Sequence, residues 1–136
     1  MPYSTVEAQF QDEFLSLLRK YGAYAVSVVG NIYQSGQPDI SCVSMYGAET
    51  KVELKVYRKL TVPTREDVLA LLRGPQINVI TKQLWRRKAN CVVIAHIAAS
   101  PGKVCIVSKD RVCFDTVENC AITLARLPYG EYTEYE

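Results

Sequence analysis

Residues 36–55, GQPDISCVSMYGAETKVELK, decide how the rest of the chain is read. They open on Gly36-Gln37-Pro38-Asp39, run through an apolar stretch, pass Gly47 and close on Glu53-Leu54-Lys55. Ile40, Cys42 and Val43 are strand formers before Gly47, and Val52, Leu54 and Val56 alternate with polar residues after it, which predicts a β-hairpin. Residues two apart on a strand share a face, so Lys51, Glu53 and Lys55 point one way while Val52, Leu54 and Val56 point the other. Closing the hairpin around Gly47 sets Asp39 opposite Lys55 or Tyr57, and in either register it joins the Glu53/Lys55 face. Pro38 suits the first position of an edge strand. Gly36 permits a close approach of the chain just before it.

Two carboxylates and a lysine on one face form a recognisable chemical set. Hard oxygen ligands suit Mg²⁺, which keeps several waters and is completed by phosphate oxygens. Such an ion polarises a phosphoryl group and activates water, and a neighbouring ammonium orients that water or offsets charge growing on the phosphate. This is the chemistry of phosphodiester hydrolysis.

The pattern G-x-P-D, a turn, then E-x-K resembles the PD-(D/E)XK nuclease superfamily, and within it the small stand-alone VRR-NUC proteins and phage Holliday-junction resolvases. The resemblance covers about residues 7–97. It implies an α/β fold, a central mixed β-sheet flanked by helices with a restriction-endonuclease-like core. It implies Mg²⁺, with Mn²⁺ as a substitute, held by Asp39 and Glu53, and gives Lys55 the attacking water. The run Glu7-Ala8-Gln9-Phe10-Gln11 looks like the E-x-x-x-Q opening of VRR-NUC proteins, which puts a supporting acid on Glu7. The residues leave two alternatives open there, that Glu7 merely caps its helix or that Glu13 takes the role. The family's glutamine at a helix start before a strand falls on Gln76, where its amide positions substrate or water. The stretch from Lys55 to Gln76 is longer than the short family pattern and holds an inserted helix, so Gln83 competes for that role.

At 136 residues, 49% hydrophobic and 22% charged, the chain reads as one soluble domain, residues 1–136, with an acidic, tyrosine-rich tail from Pro128. No apolar run spans a bilayer and no signal peptide opens the chain, so a cytoplasmic location is expected. Five cysteines (Cys42, Cys91, Cys105, Cys113 and Cys120) without C-x-x-C spacing read as reduced thiols. The only histidine, His96, lies at the end of an apolar run and reads as a satisfied strand residue. Net charge is only +2, yet Lys51 to Lys88 holds ten Lys/Arg against three Asp/Glu. A basic segment beside an acid pair suits a polyanion, and Lys51, Arg58, Lys59, Lys82, Arg86 and Arg87 are the candidate DNA contacts.

Elsewhere, residues 4–21 read as a helix with a Ser4/Glu7 capping box and an apolar stripe of Val6, Phe10, Phe14, Leu17 and Tyr21. Residues 23–33 read as a strand, 65–73 as a helix capped by Thr64, and 76–88 as a second helix in which Trp85 is core. Strands at 91–97, 103–107 and 112–114 follow, then a helix to Arg126 capped by Asp115 or Thr116. The resulting expectation is a Mg²⁺-dependent endodeoxyribonuclease acting as a homodimer on branched or Holliday-junction DNA. A restriction-type enzyme is the nearest alternative, and a non-catalytic nucleic-acid-binding or inhibitory module is the rival from another class. An ordinary protein-interaction domain ranks last.

Overall fold

The computed structural model describes residues 5–28 and 36–129. Helix α1 (Thr5–Lys20) leads to strands β1 (Tyr24–Ser27), β2 (Ile40–Val43) and β3 (Glu49–Tyr57). Helix α2 (Arg65–Leu69) and helix α3 (Gly74–Ile77), continued by a π-helical segment (Asn78–Leu84), precede β4 (Cys91–Ile97), β5 (Lys103–Val107), β6 (Val112–Thr116) and helix α4 (Val117–Ala125). The strands form one sheet in chain order, antiparallel except for the parallel β3–β4 pair. The protein is thus α/β, with a central mixed sheet between helical layers. A parallel pair needs a crossover, and α2 and α3 supply it.

Strand parity divides the core in two. Val52, Leu54, Val92, Ile94, Val104 and Ile106 bury one sheet face under Phe10, Phe14 and Leu18 of α1 and Cys120, Ala121 and Leu124 of α4. Tyr57, Val93, Ala95, Cys105 and Val107 bury the other under Val68, Leu72, Ile80 and Trp85. β4 is enclosed on both sides, which is why CVVIAHI is almost wholly apolar.

Several local expectations are corrected. Val6 is half-exposed, and Leu15 and Leu18 enter the core instead, because the buried stripe of α1 rotates as it steps through Phe10, Phe14 and Leu18. Ser4, and with it the capping box, lies outside the described residues, as do residues 29–35 of the strand expected over 23–33. β2 is not an edge strand, since β1 pairs it on its other side, and Pro38 precedes the ladder rather than opening it. The helix expected over 76–88 starts at Gly74 and widens into a π segment, with the Trp85 amide donating to Ile80 five residues back at 2.9 Å. That widening delivers Trp85 into the core, where its indole N–H donates to the Cys91 carbonyl at 2.8 Å. Thr64 and Thr116 cap α2 and α4 through their hydroxyls. His96 is half-buried and stacks on Phe10 at 4.9 Å, but its buried Nδ1 has no hydrogen-bond partner, so it is not the satisfied residue expected.

Cys42, Cys91, Cys105 and Cys120 are buried, and no disulfide joins cysteines among the described residues. Burial pushes the thiols of Cys42 and Cys105 up to about 11 and that of Cys91 to about 12. Since the thiolate is the reactive form, native protein at mildly alkaline pH is expected to resist iodoacetamide at these four positions. Denatured protein is expected to take up all five labels, a difference that intact-mass spectrometry reads directly.

Candidate active site

The site is built where the hairpin meets the start of α3. Asp39 stands one residue before β2. The observed register, Ile40↔Val52 and Ser41↔Lys51, continues to place position 39 across from position 53, not from Lys55 or Tyr57. The turn is tighter than a loop centred on Gly47 because Ser44 gathers it. Its amide donates to the Ala48 carbonyl at 2.8 Å, and its hydroxyl oxygen accepts from the amides of Tyr46 and Ala48. The register moves by an even number of residues, so Asp39 stays on the Glu53 face. One Asp39 carboxylate oxygen accepts the Leu54 amide at 2.9 Å, taking over the ladder position beyond the end of β2.

Glu53 sits in the middle of β3, between β2 and β4, and is 1% exposed. Lys55 approaches its Oε2 at 3.3 Å. Gln76 reaches the same oxygen from α3: its Nε2 donates to Glu53 Oε2 at 3.0 Å, while its own Oε1 accepts the Arg73 amide at 3.0 Å. The amide group is thereby fixed at both ends, and Gln76 acts on Glu53 rather than facing outward. Oε1 of Glu53 is buried with no hydrogen-bond partner. Burial, then the charge of Asp39, push the Glu53 carboxyl up to about 8 against the opposing pull of Lys55. Without a metal, burial and the Asp39 charge thus favour the protonated acid, and Lys55 opposes them.

An orphaned carboxylate oxygen next to a second carboxylate suits a hard divalent cation. No cluster of three or more His, Cys, Asp or Glu side chains able to hold a metal occurs among the described residues. Mg²⁺ needs only one or two carboxylates, because waters and substrate phosphates complete its shell. Asp39 and Glu53 fit that donor set.

The remaining candidates are spread more widely. Glu7 lies on α1 and pairs with Arg58 at 3.8 Å, beyond the end of β3. Glu13 is exposed, and its charge acts on His96. Gln83 is exposed and accepts from the Arg87 guanidinium on the same turn of helix. The structure thus brings Asp39, Glu53, Lys55 and Gln76 together, with Glu7 paired to Arg58, the Glu13 charge acting on His96 and Gln83 tied to Arg87. Lys51 is half-buried on the Glu53 face, Arg58 and Lys59 follow β3, and Lys82, Arg86 and Arg87 are exposed on and just after the π segment. Arg65, which contributes to the same basic stretch, is committed elsewhere. It donates to carbonyls of Ser108, Lys109 and Arg111 and lies 5.4 Å over the Trp85 ring.

Sequence reasoning missed the contact that seats α3. Gly36, at φ +89°, runs so close to α3 that a Cβ there would stand 2.5 Å from the Pro75 carbonyl oxygen and 3.0 Å from the Gln76 amide nitrogen. The glycine of G-x-P-D carried the signal, but not the identity of the backbone it approaches.

No protein-family model matches the chain, and no curated protein matches it. Among solved structures, the chain is similar to Hjc, a Holliday junction resolvase from the archaeal hyperthermophile Archaeoglobus fulgidus. The TM-score is 0.49 at 17% identity, covering 82% of this chain and 77% of that one.

Proposed function

We propose that this chain is a divalent-metal-dependent endodeoxyribonuclease of the PD-(D/E)XK type, one domain over residues 1–136 with a restriction-endonuclease-like core. It acts as a homodimer on branched or Holliday-junction DNA. The observation that carries the reading is the Glu53 carboxylate, almost fully buried with one oxygen unpartnered, beside Asp39 and in contact with Lys55 and Gln76. A module that only binds polyanions gains nothing from burying an acid pair in the middle of its sheet. A hydrolase does, because the pair is the cation's seat.

Asp39 and Glu53 would hold Mg²⁺ or Mn²⁺, and the bound ion supplies polarisation of a phosphoryl oxygen and acidification of water. The chain's own residues do the rest. The Leu54 amide keeps Asp39 aimed at position 53. Gln76 occupies Oε2 of Glu53 and leaves Oε1 for the cation. Lys55, its side chain 13% exposed, stands between Glu53 and solvent, where its ammonium orients the attacking water and offsets charge on the phosphate. The exposed lysines and arginines after Lys55 contact the flanking backbone in a salt-dependent way. Selectivity rests on DNA shape, and cutting paired strands suits a two-fold dimer.

The test is cleavage of four-way junction, flap, linear duplex and single-stranded DNA with Mg²⁺, Mn²⁺ or EDTA. Wild type is expected to cut in a metal-dependent manner with preference for branched DNA. Asp39→Ala, and Asp39→Asn as the more conservative change, are expected to lower the rate by about 10³-fold or more. Binding by both proteins without cutting by either would replace this reading with the non-catalytic or inhibitory module. Cutting confined to particular sequences in linear duplex would make it restriction-type.

A further inference from the structure

The segment between β3 and α2 displays two apolar side chains to solvent in a braced frame. Leu60 is 91% exposed and Val62 75%. Between them, the Thr61 hydroxyl is hydrogen-bonded at 2.6 Å to the hydroxyl of Tyr57, itself 2% exposed. Tyr57 is tied in turn through its carbonyl, which accepts the Ala98 amide at 3.0 Å. Arg58 pairs with Glu7 of α1, the charge of Lys59 acts on Asp67, and the reciprocal Thr64/Asp67 capping box closes the far end. Thr61 is itself exposed, and its bond to Tyr57 holds the loop between its two apolar neighbours.

The loop continues directly from the catalytic strand. Five residues separate Lys55 from Leu60, so even a fully extended chain puts them no more than ~17 Å apart. Successive base pairs rise ~3.4 Å, so a duplex with a phosphate at Lys55 reaches Leu60 within about five base pairs. What it meets there, just past Arg58 and Lys59, includes two apolar side chains. Arg58 is paired with Glu7 and the charge of Lys59 acts on Asp67, while the Leu60 and Val62 side chains beside them are 91% and 75% exposed. Methyl groups find no partner along a phosphate backbone, but they do find one against an exposed base face. Entering an intact stack requires unstacking a base step. At a branch point the stack is already interrupted, so the same side chains fill an existing gap.

We propose that Leu60 and Val62 form an apolar wedge that inserts at the discontinuity of branched DNA and gives the nuclease its preference for branched over linear substrate. This rests on the proposed function and specifies how its site chooses a substrate. Leu60 and Val62 are positioning residues, touching bases near the site rather than the scissile phosphate.

The experiment compares wild type with Leu60→Ser/Val62→Ser. Both side chains are solvent-exposed, so unchanged thermal unfolding is the control for folding. Affinity is measured in EDTA for a four-way junction and for a linear duplex of the same sequence. A junction carrying 2-aminopurine beside the branch point reports unstacking. The wedge predicts that the variant loses about tenfold or more in junction affinity, ~1.4 kcal/mol, while duplex affinity and the metal-dependent cutting of linear DNA stay unchanged. It also predicts that the 2-aminopurine fluorescence rise given by wild type disappears. Junction preference retained by the variant, or equal loss on junction and duplex, overturns the wedge and leaves the nuclease reading standing. If wild type binds no DNA, both fall. Binding to anionic phosphatidylglycerol vesicles that the double substitution abolishes would then assign the loop to a lipid surface.

Discussion

Replacing Glu53 with glutamine is expected to give a protein that is more stable than wild type at pH 8 in EDTA and inactive in Mg²⁺. The side chain is 1% exposed, and burial with the Asp39 charge raises its carboxyl from 4.5 to about 8. Between those values the folded state retains a proton that the unfolded state has released. Unfolding therefore releases a proton, and stability falls as pH rises across the window. The penalty is nearly absent near pH 4.5 and grows toward pH 8, where it amounts to roughly 2–5 kcal/mol. Glutamine preserves shape and can still accept the Gln76 amide, but it carries no charge to penalise. Thermal unfolding followed by circular dichroism in EDTA, at intervals from pH 5 to 8, should show a falling Tm for wild type and a flatter profile for Glu53→Gln. The difference at the alkaline end should be on the order of 10 °C. Added Mg²⁺ should flatten the wild-type profile, because the cation favours the carboxylate, and should leave the variant unmoved. Cleavage should fall by about 10³-fold or more. If wild type and variant titrate alike, Glu53 is not the group whose burial opposes stability.

Much of this was legible in the chain itself, for a physical reason. Parity on a strand survives errors of register. The hairpin pairs two or four residues away from the registers that Gly47 suggests, yet an even shift keeps Asp39 with Glu53 and Lys55 on one face and Val52, Leu54 and Val56 on the other. β4 and β5 were readable to the residue, because a strand buried on both faces leaves an unbroken apolar run. What did not show was anything set by distant contacts. The turn contracts because Ser44 is held by the Leu127 carbonyl, 83 residues away in sequence. The helix before β4 widens into a π segment so that Trp85 can reach the Cys91 carbonyl. Spacing alone gave Gln76 and Gln83 similar claims, and only the docking of α3 against the hairpin brings one of them to Glu53. Leu60 to Pro63 reads as a connector, which does not by itself say that Leu60 and Val62 face solvent.

That docking makes Gly36→Ala the other substitution with a large expected effect. A Cβ at this position would stand 2.5 Å from the Pro75 oxygen and 2.6 Å from its carbonyl carbon. Both are backbone atoms, so no rotamer change relieves the clash, and either α3 or the chain before Asp39 must retreat by about 1 Å to reach ordinary contact. The φ of +89° adds strain for any residue with a side chain. Together these should destabilise the fold by about 2–4 kcal/mol. The catalytic consequence follows from what α3 carries. Gln76 holds Glu53 through a bond of 3.0 Å, and a retreat of that size breaks it. A displacement of about 1 Å at a reacting constellation costs about 10²-fold in rate, so cleavage should fall even at temperatures where the variant stays folded. Gly74→Ala is the control. Gly74 also belongs to α3, but a Cβ there meets nothing within 4 Å and its φ is not positive. It should leave cleavage unchanged, at only a small cost in stability, because Gly74 is helical and directly precedes Pro75, whose ring disfavours that conformation for a residue with a Cβ. Unfolding by urea and single-turnover cleavage of the same two variants separate the outcomes. Loss of both in Gly36→Ala alone identifies the close approach of the hairpin to α3 as what sets Gln76 on Glu53. Equal behaviour of the two alanine variants would mean that α3 finds its place without it.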